Sequence, residues 1–145
     1  MRILRSVFAV LAGLLLISVV VESLEFALVA LVNGGVTTDP NSYMAIRNRP
    51  AFLAAKLGYN TAAALVGGWV CAWLARRDPI THGMVLAAIQ TVAFGWAVTT
   101  PPVRQSTPDW MWASLIVVTF AAIVAGSLLQ RQRIASRPLH SSAAV

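Results

Sequence analysis

The chain of 145 residues is 58% hydrophobic and only 11% charged, with a formal net charge of +6. Soluble domains carry roughly 25% charged residues, so this composition lacks the polar surface that a compact soluble fold requires. Disorder, a coiled coil, a collagen-like fibre and a disulfide scaffold are excluded at once. The lone Cys71 leaves no internal disulfide and no cysteine pair for a metal or c-type haem. Nor does the basic balance indicate nucleic acid. Arg2, Arg5, Arg76, Arg77, Arg131, Arg133 and Arg137 flank apolar blocks instead of forming the basic face of a soluble domain.

The apolar residues gather into four blocks, each long enough for a membrane span. They predict one all-α domain over 1–145, a four-helix transmembrane bundle built from antiparallel hairpins. The first helix covers about 4–32 and ends at Asn33-Gly34-Gly35, where positive φ is tolerated. Its length of about 42 Å exceeds the ~30 Å hydrocarbon core, so tilt, a kink or protrusion is expected. Arg2 and Arg5 before an apolar run resemble a secretory signal. Val21-Glu22-Ser23 is a poor cleavage site, however, and the apolar run resumes at Phe26. The segment is therefore expected to be a helix of the bundle.

Thr38-Asp39-Pro40 is a turn signal, after which Asn41-Ser42 can cap a short interfacial helix over Tyr43, Met44 and Ile46. Pro50 suits the first turn of the next helix, over 51–75. There Ala63, Ala64, Gly67, Gly68 and Ala72 form stripes of small residues, expected to pack within the bundle, with a dimer face as the alternative. Asp78 is expected to cap a helix over 80–100. Thr107 or Asp109 is expected to cap the last, over 109–130, before a flexible polar tail over 131–145.

With an even number of spans both termini share a side. That side holds seven arginines, against four basic residues (Arg47, Arg49, Lys56 and Arg104) opposite, which predicts cytoplasmic termini. Trp69, Trp73, Trp96, Trp110 and Trp112 fall near helix ends and are expected to anchor the membrane interfaces.

Glu22 and Glu25 are the main anomaly. They lie one turn apart in an apolar helix, and a charge at full membrane depth costs at least ~2–3 kcal/mol. Either they join a buried polar cluster, with Lys56, Asn60, Thr61 and Gln90 as candidate partners, or they sit at the wet interface. Two close carboxylates can share a proton, and Glu22, the deeper one, is expected to be the more sensitive. His82 and His140 lack ligand spacing with them, so no metal and no cofactor is expected. No G-x-S-x-G, H-E-x-x-H, P-loop or Rossmann motif is present, so no enzyme is expected.

Glu22 late in the first helix, the Thr38-Asp39-Pro40 loop and the run from Gly67-Gly68 to Arg76-Arg77 together resemble a loose group of small, uncharacterised bacterial four-helix membrane proteins. The resemblance covers about Leu4 to Arg131 and implies a bacterial cytoplasmic membrane location. Many members of that group carry a histidine four residues after the glutamate. Phe26 stands there in this chain, so a Glu/His metal pair is not carried over. The resemblance implies no substrate. The function expected is a structural or accessory subunit of a membrane assembly, in contact with lipids and with a protein partner or further copies of itself. The alternative is a small oligomeric transporter or channel with a carboxylate-lined proton or cation path.

Overall fold

The computed structural model describes residues 2–101, 104 and 107–136. Five helices are formed: α1 (Arg2–Asn33), α2 (Pro40–Arg47), α3 (Pro50–Ala75), α4 (Pro79–Thr99) and α5 (Asp109–Ala135). Their boundaries follow local chemistry. Gly34 and Gly35, at φ 75° and 157°, end α1, and the Gly35 amide returns 2.9 Å to the Ala30 carbonyl. Pro40, Pro50 and Pro79 each begin a helix, where the absent N–H costs nothing.

Three caps differ from expectation. Asp39, not Asn41 or Ser42, caps α2 and accepts from both of their amides. Pro40 at the first helical position places the cap on the residue before it. Asp78 stands at the cap position of α4 but at φ 46°, without a side-chain bond, and α5 starts behind Pro108 with no side-chain cap. The last helix also continues to Ala135, so Arg131 and Arg133 are helical and not part of a tail. Residues 137–145, with Arg137 and His140, lie outside the described residues.

Only α1, α4 and α5 are long and apolar enough to cross a membrane. The expected four-helix transmembrane bundle is corrected accordingly: the fold is an all-α bundle of five helices with three candidate spans. α3 falls short because Lys56, Tyr59, Asn60 and Thr61 crowd its first half and Gly67 and Gly68 add no apolar side chain to its second. It is instead the helix against which all the others pack. The same finding removes the even number of spans from which the common side of the termini was argued.

α1 runs antiparallel to α3, with Arg5 Nε donating to the Leu74 carbonyl at one end and Glu25 meeting Lys56 toward the other. α5 runs parallel to α3: Leu53 packs with Met111 and Leu115, and Ser127 Oγ donates to the Gly68 carbonyl. α4 returns antiparallel to α5, placing Gly83 on Ser127 and Phe94 on Trp112. Arg5, Arg76, Arg131 and Arg133 thus belong to one end of the bundle, while Asn33, α2 and Asp109 belong to the other.

Glycines allow the close approaches. A side chain at Gly67 would enter Ile17 of α1, and one at Gly68 would enter the Ile123 backbone of α5. Ala63, Ala64 and Ala72 are buried on the same helix. The small-residue stripes therefore face α1 and α5 of the same chain. Outward, α1 and α4 present Val7, Phe8, Leu15, Val92 and other large apolar residues, while Thr119, Ser127 and Gln130 point inward. That inversion of the soluble pattern, with three apolar helices, marks a multi-span membrane protein.

Candidate functional site

Two helical turns before the end of α1, Glu25 is buried between α1, α2 and α3. Lys56 Nζ of α3 lies 2.5 Å from its Oε2, and Arg47 Nε at the end of α2 lies 2.6 Å from its Oε1. The Tyr59 hydroxyl donates to Oε2 at 3.1 Å and the Tyr43 hydroxyl to Oε1 at 3.4 Å. The local fold explains the convergence. Lys56 and Tyr59 are three residues apart on one face of α3. The Asp39-capped α2 swings Tyr43 and Arg47 over the same carboxylate. α2 is itself docked through Ile46, which packs with Val29 and Phe52.

A buried carboxylate is tolerated only when paired and hydrogen-bonded. Here one anion meets two cations and two phenols. Burial first, and the nearby Glu25 charge second, push the Tyr43 phenol above its ordinary value, which keeps it a donor. A carboxylate bound on both oxygens in this way is a poor general base and a poor ligand for a free cation.

A cavity of about 240 Å³ adjoins the cluster, lined among others by Glu22, Glu25, Lys56, Asn60, Thr107 and Trp112. It is large enough for a few water molecules or a small polar solute. Thr107 Oγ1 and Trp112 Nε1 are buried with no hydrogen-bond partner among the described residues. Around Glu22, Glu25, Arg47 and Lys56 the formal charges balance.

The structure thus brings Glu25, Lys56 and Asn60 together, with Asn60 Nδ2 donating 2.8 Å to the Lys56 carbonyl. Glu22 is exposed and reaches the cavity only from its rim, so the order of burial of the two glutamates is the reverse of expectation. Three residues of helix separate them by only about 60° around the axis. At the edge of a contact face that angle divides an inward side chain from an outward one. Thr61 bonds the Leu57 carbonyl of its own helix, and Gln90, halfway along α4, is not part of the cavity lining. Gln90 Oε1 is buried without a partner among the described residues. His82 lies at the opposite end, its ring nitrogen 3.0 Å from the Asp78 carbonyl, and the described residues hold no group of three metal-ligating side chains.

Sequence reasoning missed Arg47, Tyr43 and Tyr59. Tyr59 could have been found from its three-residue spacing to Lys56, whereas Arg47 and Tyr43 arrive only through the docking of α2. Of the tryptophans, Trp73, Trp96 and Trp110 are exposed and Trp69 is half-buried. Trp112 is buried edge-on against Phe94, ring centroids 6.3 Å apart, and so packs inside the bundle instead of anchoring an interface.

No protein-family model matches the chain, and no curated protein or solved structure matches it either. Together with the count of five helices and three candidate spans, this sets aside the resemblance to the four-helix group.

Proposed function

We propose that the chain is a structural or accessory subunit of a membrane assembly and conducts no ion of its own. The observation that carries this reading is the saturation of Glu25. The one buried carboxylate on the apolar α1 is held by Lys56, Arg47, Tyr43 and Tyr59, which suits a fixed joint between three helices better than a relay. The outward apolar faces of α1 and α4 supply surface for lipid and for a partner helix or a second copy. The end carrying Arg5, Arg76, Arg77, Arg131 and Arg133 is read as cytoplasmic. In a Cys71→Ala background, cysteine at Ser42 should react with an impermeant reagent in intact cells and cysteine at Ser136 should not. The opposite pattern would reverse the orientation.

The full chain, extracted in mild detergent, should elute at a mass above the monomer, with itself or with a stoichiometric partner. In liposomes it should show no proton or cation flux above protein-free vesicles. A second reading, a small carboxylate-lined path, is favoured by the cavity that links exposed Glu22 to Glu25. A flux abolished by Glu22→Gln with the fold intact would establish that path and remove the accessory reading.

A further inference from the structure

At the basic end of the bundle, two adjoining cavities of about 540 and 550 Å³ lie between the second half of α3 and the end of α5. They share Trp69 and Arg133, so they form one furrow with two parts. The first part includes Leu65, Val66 and Leu129, all from membrane-depth turns of the two helices. The second is lined by Trp73, Arg76, Gln130 and Arg133 and lies where the helices end. Arg133 stacks its guanidinium 5.6 Å from the centre of the Trp69 ring, and Arg76 closes α3 in the left-handed conformation, φ 60°.

We propose that this furrow is a binding site for an anionic phospholipid, with the phosphate between Arg76 and Arg133 and one acyl chain along Leu65, Val66 and Leu129. Three observations converge on that occupant. The two guanidinium groups lining the polar part have no carboxylate beside them in the lining, so the local charge calls for an anion. Guanidinium is the side-chain cation best shaped to bind phosphate oxygens in pairs. The polar part continues into an apolar part along the helices, which fits a molecule with a charged head and hydrocarbon tail and fits neither a soluble anion nor a fully apolar ligand. Finally, Trp69 and Trp73 sit at the transition between the parts, the level at which indole rings favour the headgroup region. Basic pockets between helices at the membrane surface are a general mode of headgroup recognition. The site lies at the far end of α3 from Glu25 and does not depend on whether that cluster is structural or conducting.

The test uses the full chain in mild detergent, with thermal unfolding and native mass spectrometry as readouts. The probes are phosphatidylglycerol, phosphatidylcholine of matched chains, and inorganic phosphate. Phosphatidylglycerol should raise the unfolding temperature and remain bound as a discrete adduct, whereas phosphatidylcholine and phosphate should do neither. Arg76→Gln with Arg133→Gln should weaken phosphatidylglycerol binding by roughly tenfold or more. Arg77→Gln removes the same charge from the same end but lies outside the furrow lining, and it should bind as the parent does. Helical circular dichroism checks that each variant folds. Equal binding of the two lipids, equal loss in Arg77→Gln, or a phosphate effect as large as that of the lipid would each overturn the proposal. The first would mean non-selective solvation, the second diffuse electrostatics, the third a site for a soluble anion.

Discussion

Lys56 Nζ and Glu25 Oε2 lie 2.5 Å apart across the α1–α3 contact, both side chains 7% exposed. The pair is unequal in its surroundings, because Glu25 has a second cation in Arg47 while Lys56 has no second acceptor within ion-pair range among the described residues. Removing the carboxylate therefore leaves two buried cations facing each other, whereas removing the lysine leaves an anion that is still paired. Glu25→Gln should be destabilised by about 3–5 kcal/mol, with Lys56→Met losing less. Glu22→Gln, exposed at the rim, should stay within about 0.5 kcal/mol of the parent. Reversible unfolding in detergent measures all three. An equal loss for Glu22→Gln and Glu25→Gln would contradict the cluster.

The glycines of α3 and its neighbours give a comparison of opposite sign. A Cβ at Gly68 would collide with the backbone of Ile123, which cannot rotate away, so Gly68→Ala should cost roughly 1–3 kcal/mol and Gly68→Leu more. Leu65→Ala, on a half-buried side chain, should cost less than Gly68→Leu. Gly58 sits on the same helix with nothing near its missing Cβ. Gly58→Ala should stabilise by about 0.4–1 kcal/mol through reduced freedom of the unfolded chain and better helix propensity. Matching changes at the two glycines would show that the α3–α5 contact is loose.

How far the sequence reveals this molecule depends on whether a feature is local. Asn33-Gly34-Gly35 and the prolines at 40, 50 and 79 bound helices because φ and the missing N–H act on the spot, and all can be read without a structure. The depth of each glutamate cannot. α1 is apolar nearly all round, so periodicity does not say which stripe faces in, and Glu22 and Glu25 straddle the edge. The status of α3 was misjudged for a related reason. Its alanines and glycines look like a span in sequence, but their smallness serves contact with α1 and α5, while the polar turns near Lys56 serve the ion cluster. Trp112 also looks like its exposed neighbour Trp110 until the α4 packing turns it onto Phe94.

Asp39 supplies a pH test. The Ser42 hydroxyl first, then the Ser42 and Asn41 amides, hold its carboxyl below the ordinary value. A lowered folded value means that the cap contributes fully above the ordinary aspartate pKa of about 3.9 and is lost as pH falls through the folded one. Amide exchange across α2, corrected for the intrinsic pH dependence, should therefore accelerate only in that acid window. Asp39→Ala should accelerate it at every pH, and Asp39→Asn, a neutral cap, should abolish the acid step. An acid step that persists in Asp39→Asn would assign it to another carboxylate.

α2 is held at both ends of its short length, by Asp39 at the start and by Ile46 and Arg47 at the finish, and it carries two of the four groups on Glu25. Its release should therefore be local but should reach the cluster. Ile46→Ala removes a side chain 6% exposed from the contact with Val29 and Phe52, at a cost of about 2–5 kcal/mol in that contact. This is more than an eight-residue helix can recover by itself, so α2 should detach while α3 and α5 stay joined through Gly68 and Ser127. Hydrogen exchange should then show α2 and the turn around Glu25 losing protection and the Gly68–Ser127 contact keeping it. Arg47→Gln should give the same pattern more weakly, because Ile46 remains seated. Uniform loss of protection through all helices in Ile46→Ala would mean that α2 is part of the bundle's cooperative core, and that the ion cluster cannot open without unfolding the chain.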